Sequence, residues 1–126
     1  MKMTELEVVN HIQVLNQISN KSLPGIVTLA IVKNMKSLNA EYEPFATARD
    51  NVIKKYAKFG EDEKPLIMNG EYQFETQENK DSFDKELNEL VSQEVDVEIR
   101  KVSDELFARC DSISPSELIA LDFMTE

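Results

Sequence analysis

The sequence predicts a helix-rich α+β fold. Three observations carry that prediction: a heptad-spaced seam from Ile31 to Tyr56, an Asn-Gly pair between two short β-prone runs, and the alternating segment Val95-Asp96-Val97-Glu98-Ile99. A length of 126 residues suits a single domain. Within it the pattern places a helical part over 4–59, a β-hairpin over 65–75, a helix over 77–92, a strand over 95–99 and a C-terminal helix over 114–124.

Thr4-Glu5-Leu6-Glu7 matches a capping box, in which Thr4 caps the helix and the Glu7 carboxylate reaches back to the Thr4 amide. Leu6, Val8, Val9, Ile12, Leu15 and Ile18 then form a helical stripe of about fifteen residues. Ser19-Asn20-Lys21-Ser22 is polar and reads as a loop. A second helix is expected near Leu23-Pro24, because a proline in the first turn has no helical partner to lose.

Ile31, Met35, Leu38, Tyr42, Phe45, Arg49, Val52 and Tyr56 are spaced 4, 3, 4, 3, 4, 3, 4. If unbroken to Phe59, this helix has about 35 residues and a length of roughly 50 Å, with Gly60 as its stop. Pro44 interrupts the pattern, and a kink or a junction of two helices at Glu43-Pro44 is expected there. A seam this long exceeds what one fifteen-residue partner covers. Later helices cover the remainder, or a second copy of the chain does, pairing through residues 31–56.

Pro65 to Phe74 reads as a hairpin, since Asn69-Gly70 accepts the positive φ of a type I′ turn. Thr76 can cap the third helix, with Phe83, Leu87, Leu90 and Val91 on one side. In Val95–Ile99 the aliphatics face inward and the acids outward, and the strand is placed to join the hairpin as a third strand. Residues 103–110 suggest a short helix presenting Leu106 and Phe107. Ser114-Pro115-Ser116-Glu117 combines a capping box with a first-turn proline and opens the last helix, which docks through Leu118, Leu121 and Phe123 or Met124.

The chain carries 24 Asp and Glu against 14 Lys and Arg, a formal net charge of -10. Residues 1–60 hold eight basic and five acidic side chains, and residues 61–126 hold six basic and nineteen acidic. Such an acidic half repels nucleic acid, where phosphate contacts dominate affinity, so direct nucleic-acid binding is disfavoured. It serves solubility, and it also fits a basic partner surface. The exposed acids Asp96, Glu98 and Glu71 are the candidate acidic face. The lone Cys110 forms no internal disulfide and suits a reducing interior. No apolar run has the length of a signal peptide or membrane span, so no membrane association and a cytoplasmic location are expected.

One His, one Cys and three Gly leave little for catalysis, metal binding or phosphate loops. His11 lies beside the first apolar stripe and reads as structural, and Cys110 as a small buried side chain. The carboxylate pairs Glu41/Glu43, Asp84/Glu86 and Asp96/Glu98 have the spacing of solvated faces. No catalytic residue, metal or cofactor is assigned, and the chain is expected not to be an enzyme. Lys54, Lys55 and Lys58, with Arg49 upstream, cluster near the end of the long helix. The macrodipole explains such cations. As a binding site they would hold a small anion, and Arg49 has the alternative of laying its stem along the seam and pairing with a carboxylate.

In order, the motifs Leu23-Pro24, Ala30, Lys33-Asn34, Phe45, Arg49, Ile53 to Tyr56, Phe83, Lys85-Glu86-Leu87, Glu94 to Ile99, Ile113-Ser114-Pro115, Glu117-Leu118 and Leu121-Asp122-Phe123-Met124 resemble a family of small uncharacterised proteins from phages and prophages. The resemblance spans nearly the whole chain, with the Ser-Pro-x-Glu-Leu…Leu-Asp-Phe-Met tail its most distinctive part. Pro44 departs from the pattern, where an ordinary helix former is expected. The resemblance implies work inside a bacterial host and transfers no activity. It favours an accessory protein that binds a host or phage macromolecule and inhibits a defence system. The alternatives are a homo-oligomeric sponge for a nucleotide signal, with Arg49, Lys54 and Lys55 in its pocket, and a virion assembly or structural factor.

Overall fold

The computed structural model describes all 126 residues. The chain is helix-rich α+β, with five α-helices and two separate two-stranded antiparallel sheets. It divides into two compact units. The first joins Met1–Tyr42 to Glu94–Glu126, and the second is Glu43–Gln93.

In the first unit β1 (Lys2–Thr4) pairs antiparallel with β4 (Glu94–Asp96), placing Met3 opposite Val95. The strand expected over 95–99 is therefore partnered by the N-terminal segment and not by the hairpin. Its alternation still holds: Val97 is buried, Val95 and Ile99 are half-buried, and Asp96 and Glu98 are exposed. Helix α1 (Glu5–Ile18) opens with the expected capping box, the Glu7 amide donating to Thr4 Oγ1 at 3.2 Å and the Thr4 amide to Glu7 Oε1 at 3.0 Å. Val8, Leu15 and Ile18 are its fully buried residues, and they pack with Val27, Ala30, Ile31 and Leu38 of α2 (Gly25–Tyr56).

Helix α4 (Asp104–Ala108) adds Phe107 to this core. The expected helix over 114–124 is two pieces, α5 (Pro115–Ala120) and a 3₁₀ turn over Asp122–Met124. Tightening that last turn buries both Phe123 and Met124. Phe123 stacks on His11 at 3.8 Å between ring centroids, and the Val102 amide donates to the Met124 carbonyl at 2.8 Å. His11 is thus a packing residue, and burial lowers its pKa from 6.5 against the opposing pull of Glu7.

Two polar residues are buried in this unit, Glu5 and Asn34, and Asn34 is 1% exposed. Its Nδ2 donates to the Arg100 carbonyl at 2.9 Å, and its Oδ1 accepts the Arg100 amide at 2.7 Å. Both backbone groups of Arg100 are thereby paired where no strand reaches them.

Helix α2 is one 32-residue helix that runs through Pro44 without a break. The missing proline amide costs one ladder bond, and the ladder resumes beyond it. The helix begins at Gly25 and ends at Tyr56, short of Phe59. Its seam is used within the chain: Ile31, Leu38 and Phe45 are buried, and the other seam positions are half-buried.

The second unit contains the end of α2, helix α3 (Gln77–Val91) and a hairpin of β2 (Ile67–Met68) and β3 (Glu71–Tyr72). Thr76 caps α3 as expected, accepting the Asn79 amide at 3.1 Å. Buried Phe83 of α3 holds the hairpin base, with Phe74 at 5.0 Å and Tyr72 at 5.8 Å between centroids. No helix is long and apolar enough to cross a membrane.

Candidate functional site

The hairpin of the second unit is short, fastened at its base and apolar at its tip. Asn69 at φ 54° and Gly70 at φ 77° make the turn, the conformation a type I′ loop requires. At the base, the Lys58 amide donates to the Gln73 carbonyl at 2.7 Å and the Leu66 amide to the Lys58 carbonyl at 2.8 Å. Above these bonds Leu66, Ile67 and Met68 are 41%, 58% and 63% exposed. Glu61, Asp62, Glu63 and Glu71, in the preceding loop and on β3, are exposed as well.

Successive side chains of a strand alternate in face, so Leu66 and Met68 stand on one side of the hairpin and Ile67 on the other, all exposed on a backbone tied by hydrogen bonds. Glu71, one of the expected acidic residues, lies in this hairpin opposite Met68. Asp96 and Glu98 belong to the first unit. Asp96 is engaged by the Met1 amino group at 2.8 Å, which holds its carboxyl below the usual range.

The acidic half of the sequence is consequently not one body. Nine of its acidic residues, over 94–126, fold with residues 1–42, and each unit ends with twelve acidic and seven basic side chains. The charge imbalance along the chain is erased by the topology.

Of the expected basic cluster, Arg49 and Lys55 are engaged by carboxylates. Arg49 pairs with Asp50 at 3.4 Å. Lys55 Nζ lies 3.1 Å from Glu86 Oε1 and 5.0 Å from the Tyr56 ring centroid, and its hydrogen bond holds the Glu86 carboxyl below its ordinary value. Lys58 contributes its backbone to the hairpin base. Lys54 lines a shallow depression with Asp50, Glu63, Lys64 and Tyr72.

A different set of cations converges in the first unit. Lys33, Lys36 and Ser37 on α2 face Glu98 and Arg100 across an open groove of about 470 Å³, with the Arg100-holding Asn34 in its wall. Arg100 and the two lysines are more than sixty positions apart in sequence, so no spacing rule brings them together. Ile26, Leu29 and Val32 are exposed on the early turns of α2, another surface that the heptad reading did not single out.

Other reactive groups are held quiet. The Cys110 thiol is buried, donates to the Leu106 carbonyl at 3.2 Å, and is pushed up by burial with a smaller contribution from Asp111. Glu5, 7% exposed, is raised from 4.5 by burial, with Glu41 adding a like charge and a shared hydrogen bond. No group of three or more His, Cys, Asp or Glu side chains is arranged to hold a metal ion. No protein-family model, curated protein or solved structure matches the chain.

Proposed function

We propose that this is a phage or prophage accessory protein that acts inside the bacterial host by binding a macromolecule with a basic surface, and so inhibits a host defence protein. The observation that carries the reading is the hairpin tip, where Leu66, Ile67 and Met68 stand exposed beside Glu61, Asp62, Glu63 and Glu71. An apolar centre with a charged rim is the anatomy of a protein interface. The carboxylates steer a basic partner during encounter, and the apolar side chains supply the buried centre. The ordered motifs that resemble phage and prophage proteins support the origin, and with it a place in the bacterial cytoplasm.

The test is affinity capture of the tagged protein from phage-infected cells at low and moderate salt, beside the variant Ile67→Asp/Met68→Asp. The expected result is a host protein retained at low salt, weakened as salt rises, and lost in the variant while its melting temperature is unchanged. Equal capture by the variant excludes the hairpin. Retention of virion proteins instead of host proteins would transfer the reading to particle assembly.

A further inference from the structure

We infer that the groove between α2 and the residues following β4 is a binding site for a small phosphate-bearing ligand of nucleotide size. It lies wholly in the first unit and is independent of the hairpin tip. Its volume of about 470 Å³ is within the range of small-molecule sites, roughly 300–1,000 Å³.

The charges are the first argument. Lys33 and Lys36 are one turn apart on α2 and share a side of the helix. Arg100 comes from the opposite wall. None of the three forms an ion pair, in a chain with 24 carboxylate side chains and ion pairs at Lys21, Arg49 and Lys55. Against these three cations the groove carries one carboxylate, Glu98, which leaves a net of two positive charges within a molecule of net charge -10.

The second argument is rigidity. The Asn34 side chain grips both backbone groups of Arg100 at 2.7 and 2.9 Å and is itself almost fully buried. The Arg100 backbone is therefore held, and only its side chain remains to be ordered when the guanidinium forks onto phosphate oxygens. Glu98, two residues earlier on an extended segment, shares the Arg100 side of that segment. A carboxylate in such a groove opposes a bare phosphate and favours a ligand that also carries hydroxyl or amino donors. Ser37 adds a hydroxyl on the α2 side.

Size follows from electrostatics at two ranges. A polyanion extends beyond the groove and meets the acidic remainder of the surface. A small ligand sits within about 8 Å of the three cations, one screening length at physiological salt, and experiences mainly those.

The experiment is isothermal titration calorimetry of the whole chain with ADP, ATP and inorganic phosphate, with a thymidine oligonucleotide and phosphatidylserine vesicles as larger carriers of phosphate. The expected result is binding of ADP or ATP at about 1 mM or tighter, weakened about tenfold or more by Lys33→Ala/Lys36→Ala and by Arg100→Ala. The variants should melt at the wild-type temperature, because the replaced side chains are exposed. Glu98→Gln should narrow the preference for nucleotide over inorganic phosphate. No binding of either nucleotide, or unchanged affinity in the variants, overturns the site. Equal affinity for inorganic phosphate and ADP, or stronger binding to the oligonucleotide or the vesicles, overturns the assignment of the ligand.

Discussion

Asn34 does with one side chain what a neighbouring strand would do with its backbone. Replacing it with Ala leaves the Arg100 amide and carbonyl without their partners at a part-buried site. We expect Asn34→Ala to lower unfolding free energy by about 1–3 kcal/mol in urea denaturation. Glu5 makes the opposite prediction. Its folded pKa lies above the unfolded value, so its carboxyl favours folding in acid and opposes it once pH rises through the folded pKa. Glu5→Gln should therefore raise the melting temperature at pH 7 and bring little gain at pH 4. His11 is depressed, so its contribution is present above pH 6.5 and declines as acid protonates the unfolded chain first. A His11→Gln variant should lose less stability than wild type between pH 6.5 and 5. The two capping boxes were legible because each partner lies three residues from the cap. The partners of Asn34 and Glu5 are 66 and 36 positions away, and local pattern carries no sign of them.

At the scale of elements, periodicity identified what each segment is better than what it meets. The hairpin announced itself through Asn69-Gly70, whose positive φ angles are a local requirement. The alternating strand was correct in its faces and wrong in its partner, because period two specifies a side and says nothing of the neighbour. Its true partner, Lys2–Thr4, is three residues long and lacks any repeating pattern to detect. The long helix was legible through its spacing, and of the two outcomes expected at Pro44 a junction of two helices is absent, since one helix runs from Gly25 to Tyr56. Pro44 is exposed, so Pro44→Ala restores a ladder bond without disturbing packing. We expect a rise in melting temperature with nearly unchanged far-ultraviolet circular dichroism. A lower melting temperature would mean that the proline has a structural role of its own.

Across the whole molecule, charge is the property that the linear reading located least well. The steep contrast between residues 1–60 and 61–126 disappears once 94–126 fold with 1–42, and both units become equally acidic. Self-repulsion of that kind weakens with screening. Adding sodium chloride from low ionic strength to about 0.15 M, where the screening length is about 8 Å, should raise the melting temperature. No change would mean that the acids lie too far apart to oppose folding. The candidate groove was hidden for the same topological reason, since its cations come from α2 and from the segment beyond the second unit. The hairpin was legible as an element because one contiguous stretch builds it, but pattern singled out only Glu71 there and not the exposed Leu66, Ile67 and Met68.

The interleaved order of the units has a consequence for synthesis on the ribosome. Residues 43–93 form a contiguous unit and emerge complete, whereas Met1–Tyr42 must wait for Glu94–Glu126. At ~5–20 residues per second, the last 84 residues take roughly 4–17 s to appear. For that interval Val8, Leu15 and Ile18 of α1 lack Phe107, Leu121 and Met124, with which they share a core. The nascent N-terminal segment is thus the part of this protein most exposed to chaperones and proteases, although in the finished molecule it supplies some of the most deeply buried side chains.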